Sequence, residues 1–241
     1  MQRTVQPAIT WAQLPTRRLY RFTKRAIDMG GALCLLLLLS PILVICALAV
    51  RRSSPGPILF RQERVGLRGQ TFAFLKFRSM YVAADTAPHR EYVAAFIRGE
   101  APVDTEASVA SAADDAVRQK LRTPLYKLGN DRRITPAGAW LRRTSLDELP
   151  QLWNVLRGEM SLVGPRPPIP YELEHYRPEQ YSRLGVRPGI TGLWQVSGRS
   201  RTTFEEMVAL DLAYIKEQSL RLDLLILLRT IPTVLAWGDA R

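Results

Sequence analysis

The feature that most constrains this chain is a run of 22 residues without a charge, from Met29 to Val50. A straight α-helix of that length would extend about 33 Å, which is enough to cross the apolar core of a bilayer. We therefore predict that residues 29–50 lie in a membrane. Pro41 follows Ser40 in the middle of the run, where it removes a backbone hydrogen bond and kinks a helix.

Basic residues flank the apolar run on both sides: Arg17, Arg18, Arg21, Lys24 and Arg25 precede it, and Arg51, Arg52, Arg61, Arg64 and Arg68 follow it. Because basic residues favour the cytoplasmic side, both ends of the run are drawn to that side. We expect a re-entrant helix, broken at Ser40 and Pro41, that enters and leaves the same leaflet. A kinked spanning helix stays open, since proline is common in membrane helices. A signal peptide is disfavoured by the length of the run and by Arg51 and Arg52 behind it.

The composition restricts the partners and the kinds of site. Lys and Arg number 34 against 22 Asp and Glu in 241 residues, so the chain should seek anionic partners. The only cysteines, Cys34 and Cys46, lie inside the apolar run, which excludes a disulfide framework. The two histidines are too few for histidine-based metal sites, and neither a GxxxxGK[ST] nor a GxGxxG motif occurs. We divide the chain into a basic segment (1–28), the membrane helix (29–50) and one larger domain (51–241) with an insertion near 83–125.

A β-hairpin is predicted behind the membrane segment, with strands over Pro57–Arg64 and Thr71–Met80 and a turn at residues 66–69. A period of two puts Lys76 and Arg78 on one side of the second strand, with Phe72 and Phe74. These cations are either a solvated edge or phosphate ligands. Residues 83–120 are rich in alanine and acids, and we expect helices or a mobile insertion that adds nothing to the core.

Two adjacent carboxylates, Asp147 and Glu148, open an apolar-periodic segment. Ser145 and Glu148 fit a capping box, and the apolar stripe is Leu146, Leu149, Trp153 and Leu156. Asp147, Gln151 and Asn154 form a polar stripe beside it. Acidic residues are favourable in a first helical turn by about 0.3 to 1 kcal/mol each, so this segment alone requires no further role for them.

Arginines in the neighbouring segments favour a functional reading. Arg142 lies just upstream, Arg166 lies in a Gly-Pro turn, and Arg187 and Arg199 flank a glycine-rich loop whose amides could approach an anion. Carboxylates among guanidinium groups indicate phosphoryl chemistry assisted by arginine and a divalent metal.

Several motifs together make the sequence similar to the bacterial sugar transferases, the monotopic polyprenol-phosphate phosphoglycosyltransferases. The resemblance runs from about Arg17 to Leu235, and only the stretch 130–135 departs from the family pattern. Besides the Ser-Pro-broken helix, the motifs are SPGPILF from Ser54, KFRSM from Lys76, SLDELPQLWNVLRGEMSLVGPRP from Ser145, RPGITGLWQVSGR from Arg187 and LDLAYI from Leu210.

The resemblance implies an α+β fold: a re-entrant helix hairpin, then a mainly helical cytosolic domain with a small β-hairpin and amphipathic interfacial helices. It implies transfer of a sugar phosphate from a UDP-sugar to polyprenol phosphate, with release of UMP, on the cytoplasmic face of the inner membrane. By resemblance Asp147 is the nucleophile, Glu148 binds Mg²⁺, and Arg142 stabilises the developing charge. The implied phosphate ligands are Lys76, Arg78, Arg142, Arg166, Arg187 and Arg199, and the other active-site residues are Gln151, Asn154 and Asp211.

Two C-terminal segments are amphipathic. Asp211 falls on an apolar stripe of Phe204, Met207, Val208 and Ile215, where it is either an active-site residue, as the family match favours, or half of a structural ion pair with an arginine. Residues 220–237 are rich in leucine and fit either core or an interfacial helix.

Two other classes of protein stay open: a membrane-tethered nucleic-acid-binding protein and a non-catalytic membrane scaffold. Acids among the basic loops would repel a nucleic-acid backbone, and a scaffold would not need the polar stripe. We therefore expect membrane lipids, a UDP-sugar and polyprenol phosphate as partners, and no nucleic acid. The identity of the sugar, with a weak preference for galactose or glucose, and homodimer formation are left open.

Overall fold

The computed structural model describes residues 18–82, 87–99, 133–197 and 202–235. It is mostly helical, with two small two-stranded sheets, which confirms the coarse α+β expectation. The helices are α1 (Arg18–Leu38), α2 (Ser40–Ser53), α3 (Ala87–Ile97), α4 (Pro136–Thr144), α5 (Gln151–Arg157), α6 (Leu193–Ser197), α7 (Phe204–Glu217) and α8 (Leu220–Leu235). The strands are β1 (Leu59–Val65), β2 (Thr71–Phe77), β3 (Ser161–Val163) and β4 (Gly189–Thr191). Short 3₁₀ segments cover Leu67–Gly69, Leu146–Glu148, Pro170–His175 and Pro178–Gly185.

The apolar run forms a bent pair of helices, with α1 and α2 meeting at an angle of 64°. The break lies where it was predicted, because Pro41 has no N–H to donate to the carbonyl of Leu37. The hydroxyl of Ser40 donates to that carbonyl instead, over 2.8 Å. Within the described ranges no single helix is long and apolar enough to cross a bilayer. The bent pair of α1 and α2 together has the length and the apolar composition that crossing requires. Helix α1 begins at Arg18, so it includes part of the segment assigned separately as residues 1–28.

Strands β1 and β2 form the predicted antiparallel hairpin, in a register that pairs Phe60 with Lys76 and Arg64 with Phe72. The turn between them places Arg68 in the left-handed region, with φ 56°. Strand β2 ends at Phe77, so Arg78 lies just beyond the strand instead of on its alternating face.

The second sheet is a parallel pair in which Ser161 lies opposite Gly189 and Val163 opposite Thr191. Next to this pair, the backbones of Gly164 and Gly189 lie very close together. A Cβ atom on Gly189 would lie only 2.0 Å from the nitrogen of Gly164. Only glycine permits this approach. The contact fixes the start of the loop that carries Arg166.

The main core joins α1, which carries the first part of the apolar run, to the rest of the molecule. Its buried residues are Ala32, Phe74, Leu152, Val155, Met160, Leu162, Val163, Tyr214, Ile215 and Ile226. Asp28 of α1 reinforces this contact, since its carboxylate accepts hydrogen bonds from the Ser161 hydroxyl (2.7 Å) and the Leu162 amide (3.0 Å). The N-terminal part of α1 is thereby fixed to β3.

The insertion does contribute to the core, contrary to expectation. Helix α3 buries Ile97 in a cluster with Tyr176, Phe204 and Val208. The rings of Phe96 and Phe204 pack edge to face, 5.8 Å apart. A short alanine-rich helix with few large side chains gives a weak periodic signal, so the sequence did not reveal this packing. The rest of the proposed insertion lies outside the described residues.

Helix α8 buries Ile226 and exposes an apolar face. Leu224, Leu228 and Ile231 are each more than half exposed. Of the two readings of this segment, the exposed face favours the interfacial helix over the fully buried one.

Candidate active site

The two adjacent carboxylates lie in the 3₁₀ turn Leu146–Glu148, between α4 and α5. Ser145 ends α4 in the left-handed region (φ 57°), and its backbone N–H donates to the carbonyl of Arg142 over 3.3 Å. The predicted capping box of Ser145 and Glu148 is wrong, because Ser145 acts as the C-cap of the preceding helix. A capping box forms instead at Thr203 and Glu206.

The polar stripe of this segment faces inward. Asp147 is 9% exposed, and Gln151 and Asn154 are each 1% exposed. Trp153, assigned to the apolar stripe, is 52% exposed, and Leu152 is buried in its place. The 3₁₀ turn rotates the start of the segment relative to α5, which explains the error in the predicted stripe.

Asp147 is a buried carboxylate to which no described residue donates a hydrogen bond. Burial raises the pKa of Asp147 to about 7, and the negative charge of Glu148 acts in the same direction. The charges of Lys76, Arg142 and Arg166 oppose this rise. The structure therefore brings three of the predicted phosphate ligands around Asp147, and no donor from the described ranges reaches its carboxylate oxygens.

Lys76 projects from β2, and its Nζ atom lies 5.2 Å from the centre of the Phe60 ring. Burial lowers the pKa of Lys76 to about 8, while the charge of Asp147 acts against this fall. Lys76 was interpreted either as a residue on a solvated strand edge or as a cation that faces phosphate. The structure favours a cation whose charge acts on the site of Asp147.

Glu148 is held by Arg166, whose Nη1 atom lies 3.3 Å from Oε1 of Glu148. The backbone that carries Arg166 is fixed from behind, since consecutive carbonyls of residues 165–168 each accept a hydrogen bond from another segment. The donors are Gly189 N to Pro165 (2.9 Å), Arg183 Nη2 to Arg166 (3.5 Å), Arg64 Nη1 to Pro167 (2.8 Å) and Val65 N to Pro168 (2.9 Å). Three of these four residues are prolines, so the loop is stiff as well as anchored.

Asp211 lies on the buried face of α7, as predicted, at 1% exposure. Its Oδ2 atom accepts from Nε (2.9 Å) and Nη2 (2.7 Å) of Arg183, which also donates to the hydroxyl of Tyr176. Burial raises the pKa of Asp211 to about 6 against the opposing charge of Arg183. This geometry matches the ion-pair alternative. The role of Asp211 in the active site stays a prediction, and its link to the site runs through Arg183 to the backbone of Arg166.

Two further predicted site residues have structural partners. The side-chain amide of Asn154 bonds the backbone of β2: Nδ2 donates to the Ala73 carbonyl (2.8 Å) and Oδ1 accepts from the Leu75 amide (3.1 Å). Arg78 donates from Nη2 to the carbonyl (2.7 Å) and the hydroxyl (2.9 Å) of Ser54. Arg78 is 4% exposed and lies just beyond β2, and its Nε and Nη1 atoms have no hydrogen-bond partner among the described residues. Its role as a phosphate ligand stays a prediction.

The remaining predicted residues differ in position. Gln151 is buried in the first turn of α5, and its Nε2 atom has no hydrogen-bond partner among the described residues. Arg187 is exposed beside α1, where its Nε atom donates to the carbonyl of Gly158 over 3.0 Å. It is not among the charges that act on Asp147. Arg199 lies outside the described residues.

Sequence reasoning missed the buried cations that support the site, Arg64 and Arg183. Arg64 was counted only as a flanking positive charge, although it packs over the Phe74 ring at 5.2 Å. Arg183 gave no signal of its own. Asp211 gave the only hint of it, because a carboxylate on an apolar helix face requires a partner.

The described residues contain no cluster of three or more His, Cys, Asp and Glu side chains that could enclose a metal ion. A Mg²⁺ ion does not need such a cluster, because it is often held by one or two carboxylates together with substrate phosphates and water. Asp147, which no described residue hydrogen-bonds, and the partly exposed Glu148 beside it fit that donor set.

A family model of the bacterial sugar transferases matches residues 19–237, nearly the same range as the resemblance read from the motifs. This chain belongs to the bacterial sugar transferase family. It is 46% identical over 215 residues to a UDP-galactose-lipid carrier transferase of Erwinia amylovora. The aligned region covers 89% of this chain and 41% of that protein. It is 41% identical over 211 residues to the exopolysaccharide production protein ExoY of Rhizobium meliloti (88% of this chain, 84% of that protein).

A third relative is the UDP-glucose:undecaprenyl-phosphate glucose-1-phosphate transferase of Caulobacter vibrioides, 40% identical over 225 residues (90% of this chain, 71% of that protein). The sugar transferase described here thus spans less than half the length of some relatives and most of the length of others.

Proposed function

We propose that this sugar transferase moves a sugar phosphate from a UDP-sugar to undecaprenyl phosphate, giving a polyprenyl diphosphate sugar and UMP. One observation carries the proposal: Asp147 is a buried carboxylate that no described residue hydrogen-bonds, and the charges of Lys76, Arg142 and Arg166 act on it. A structural carboxylate would be expected to have a donor, as Asp211 has in Arg183. The names of the relatives support the reaction class.

In the proposed first step a carboxylate oxygen of Asp147 attacks the phosphorus that bears the sugar. The bond from that phosphorus to the bridging oxygen breaks, and UMP leaves with the electron pair. The sugar phosphate is then esterified to Asp147 as an acyl phosphate. In the second step an oxygen of undecaprenyl phosphate attacks the same phosphorus, and the carboxylate of Asp147 is released.

The surrounding cations have two tasks in this scheme. They lower the pKa of Asp147 against the effect of burial, so that more of it is ionised near neutral pH, and they stabilise the negative charge that develops on the diphosphate. Arg166 also orients Glu148 through their 3.3 Å contact. We propose that Glu148 holds Mg²⁺, which when bound would neutralise charge on the diphosphate oxygens.

We further propose that the bent pair α1 and α2 enters and leaves the cytoplasmic leaflet of the inner membrane. The exposed apolar residues Leu37, Leu38, Val44 and Ile45 near the bend support this placement. Helix α8 then lies on the membrane surface, and the site faces the cytoplasm.

The proposed donor carries a hexose. Several relatives are named for galactose or glucose, and two are named for exopolysaccharide production. The product would accordingly begin an exopolysaccharide, capsule or O-antigen chain.

The decisive experiment is UMP release in the absence of lipid acceptor. The full chain, incubated with UDP-glucose or UDP-galactose and Mg²⁺, should release up to about one UMP per active site and gain the mass of a sugar phosphate. Asp147→Asn should abolish both signals. Glu148→Gln is the matched control at the neighbouring carboxylate, and it should slow release without preventing the adduct.

UMP that appears only when undecaprenyl phosphate is added would contradict the covalent step and favour direct attack by the lipid phosphate. Absence of UMP under all conditions, across a panel of UDP-sugars, would favour the non-catalytic scaffold.

The membrane placement has its own test. Single cysteines at Leu19 and Pro55, both exposed, in a chain whose Cys34 and Cys46 are replaced by alanine, should both resist an impermeant thiol reagent in the periplasm. Labelling of one end alone would show a spanning helix.

A further inference from the structure

A second basic site lies away from the carboxylate pair. It is a cavity of about 110 Å³ between the N-terminal part of α1, the turn of the β1–β2 hairpin and the segment before β4. No residue of the 3₁₀ turn that carries Asp147 lines it, and neither do Lys76, Arg142 or Arg166. The basic residues that line it are Arg21, Lys24, Arg25, Arg68 and Arg187.

The positive charge of this cavity is only partly compensated. Lys24 has a carboxylate partner, since its Nζ atom lies 2.9 Å from Oδ2 of Asp223. Arg21, Arg68 and Arg187 are exposed, and no described carboxylate forms an ion pair with any of them.

The carboxylate that lines the cavity is already in use. Asp28 accepts hydrogen bonds from Ser161 and Leu162, so little of its capacity is left for the arginines. Arg25 donates to the carbonyls of Val155 (2.6 Å) and Leu156 (3.0 Å) at the end of α5. These bonds fix its guanidinium group at the cavity without neutralising its charge.

Two of the cations lie close enough to repel each other. Burial lowers the pKa of Arg25, and the like charge of Arg187 lowers it further. Arg68 lines the same cavity from a left-handed backbone conformation (φ 56°) that is unfavourable for a non-glycine residue. The hairpin turn thus carries a strained arginine at the edge of a cavity that already contains repelling charges.

We propose that this cavity is a phosphate-binding site, separate from the site of Asp147, in which Arg21, Arg68 and Arg187 hold the anion. A buried water needs about 10 to 15 Å³ of such space, so the cavity has room for a phosphate group and accompanying water. Guanidinium groups match the geometry of phosphate oxygens and are weakly hydrated, which favours this ligand class.

The same phosphate chemistry is offered by two sources: the headgroup of an anionic phospholipid and free phosphate. The cavity lies on the part of α1 that precedes the apolar run, so in the proposed membrane placement it is at the level of the headgroups. Binding is measured without UDP-sugar, so the result does not depend on whether the chain releases UMP.

The test uses hydrogen exchange of the full chain in nanodiscs, read at the backbone amides of the turn, residues 66–70. One arm adds inorganic phosphate to phosphatidylcholine discs, and the other replaces part of the lipid by phosphatidylglycerol. Protection in both arms indicates a general phosphate site, and protection in one arm alone identifies the source. Each of these results supports the proposal, whereas no protection in either arm would overturn it.

The triple variant Arg21→Gln, Arg68→Gln and Arg187→Gln should weaken binding at least about tenfold. The matched control is Arg61→Gln, Arg90→Gln and Arg143→Gln, three exposed arginines that do not line the cavity, and it should bind as the parent does. Equal protection of the two triple variants would refute the assignment.

A single variant tests the site independently, in case the triple variant does not fold. Arg68→Gly removes one ligand and relieves the left-handed strain, so it should fold at least as well as the parent and still bind phosphate several-fold more weakly. Unchanged binding by this variant would count against the site.

Discussion

Asp147 and Asp211 are both buried aspartates in helical segments, yet their surroundings differ. Asp211, on α7, receives two contacts of 2.9 and 2.7 Å from Arg183. Asp147, in the turn before α5, receives no hydrogen bond from any described residue, and its nearby cations act on it only through their charge. Asp211 is thus in an ion pair through Oδ2, although its Oδ1 atom has no hydrogen-bond partner among the described residues. Neither oxygen of Asp147 accepts a hydrogen bond from the described part of the chain.

This difference distinguishes a buried carboxylate with a structural role from a buried carboxylate that is available to react. Removing one partner of a buried ion pair destabilises the fold, because the other charge is left buried and unpaired. A carboxylate buried without donors reduces the free energy of unfolding, and such a cost is typical of functional sites. The same substitution, Asp to Asn, should therefore have opposite consequences at the two positions.

The largest expected effect is on catalysis. Asp147→Asn should lower the rate of UMP release by at least about 10³-fold, because an amide cannot form the acyl phosphate. Asp211→Asn should lower it far less, since Asp211 reaches the site only through Arg183 and the loop of Arg166. Initial rates of UMP release from UDP-sugar measure the effect of each substitution. A folded Asp211→Asn variant as inactive as Asp147→Asn would mean that Asp211 takes part in the chemistry directly.

The next effect is on stability. Asp211→Asn should lower the free energy of unfolding by about 3 to 5 kcal/mol, because it leaves Arg183 charged and buried. Asp147→Asn should not lower it. Urea titration in detergent, followed by circular dichroism, measures both variants. The double variant Asp211→Leu with Arg183→Met is the control, and it should lose less than the single variant because no buried charge is left unpaired.

A smaller effect is the dependence of stability on pH. The pKa of Asp147 is about 7 in the folded chain and about 3.9 when unfolded, so between these values the folded state binds more protons. The free energy of unfolding should therefore fall as pH rises from about 4 to 7. In the presence of EDTA at pH 8, the Asp147→Asn variant should have a free energy of unfolding roughly 1 to 3 kcal/mol higher than that of the parent, because the variant has no charged carboxylate to bury. An identical pH dependence in parent and variant would show that Asp147 has an ordinary pKa.

The smallest effect concerns the cations around Asp147. Lys76→Gln removes a charge that lowers the pKa of Asp147, so the acid limb of the pH–kcat profile should move upward by up to about one unit. Lys76→Arg should restore the profile. Arg61→Gln, which removes an exposed charge that is not among those acting on Asp147, should leave it unchanged. A downward shift in Lys76→Gln would show that Lys76 does not act on Asp147 by its charge.

Several features of the molecule follow from short stretches of sequence. Proline fixes the position of the bend because it lacks one donor, whatever surrounds the helix. The hairpin follows from alternation around a glycine turn, and its observed bounds lie close to the predicted ones. The carboxylate pair and the arginine of the Gly-Pro turn were recognised from the family motifs, and the structure joins them through the contact of Glu148 with Arg166.

The sequence by itself thus determined the bent apolar segment, the hairpin, the buried stripe of α7 and the family. Each depends on the geometry of one residue or on a periodicity within one element. Only the tertiary structure decided that Asp211 pairs with Arg183, that Arg78 binds Ser54, and that Arg187 lies beside α1. The chain has a large excess of arginines, and any of them could satisfy a carboxylate. Which one does so depends on the packing of segments far apart in sequence, and no local pattern encodes that choice.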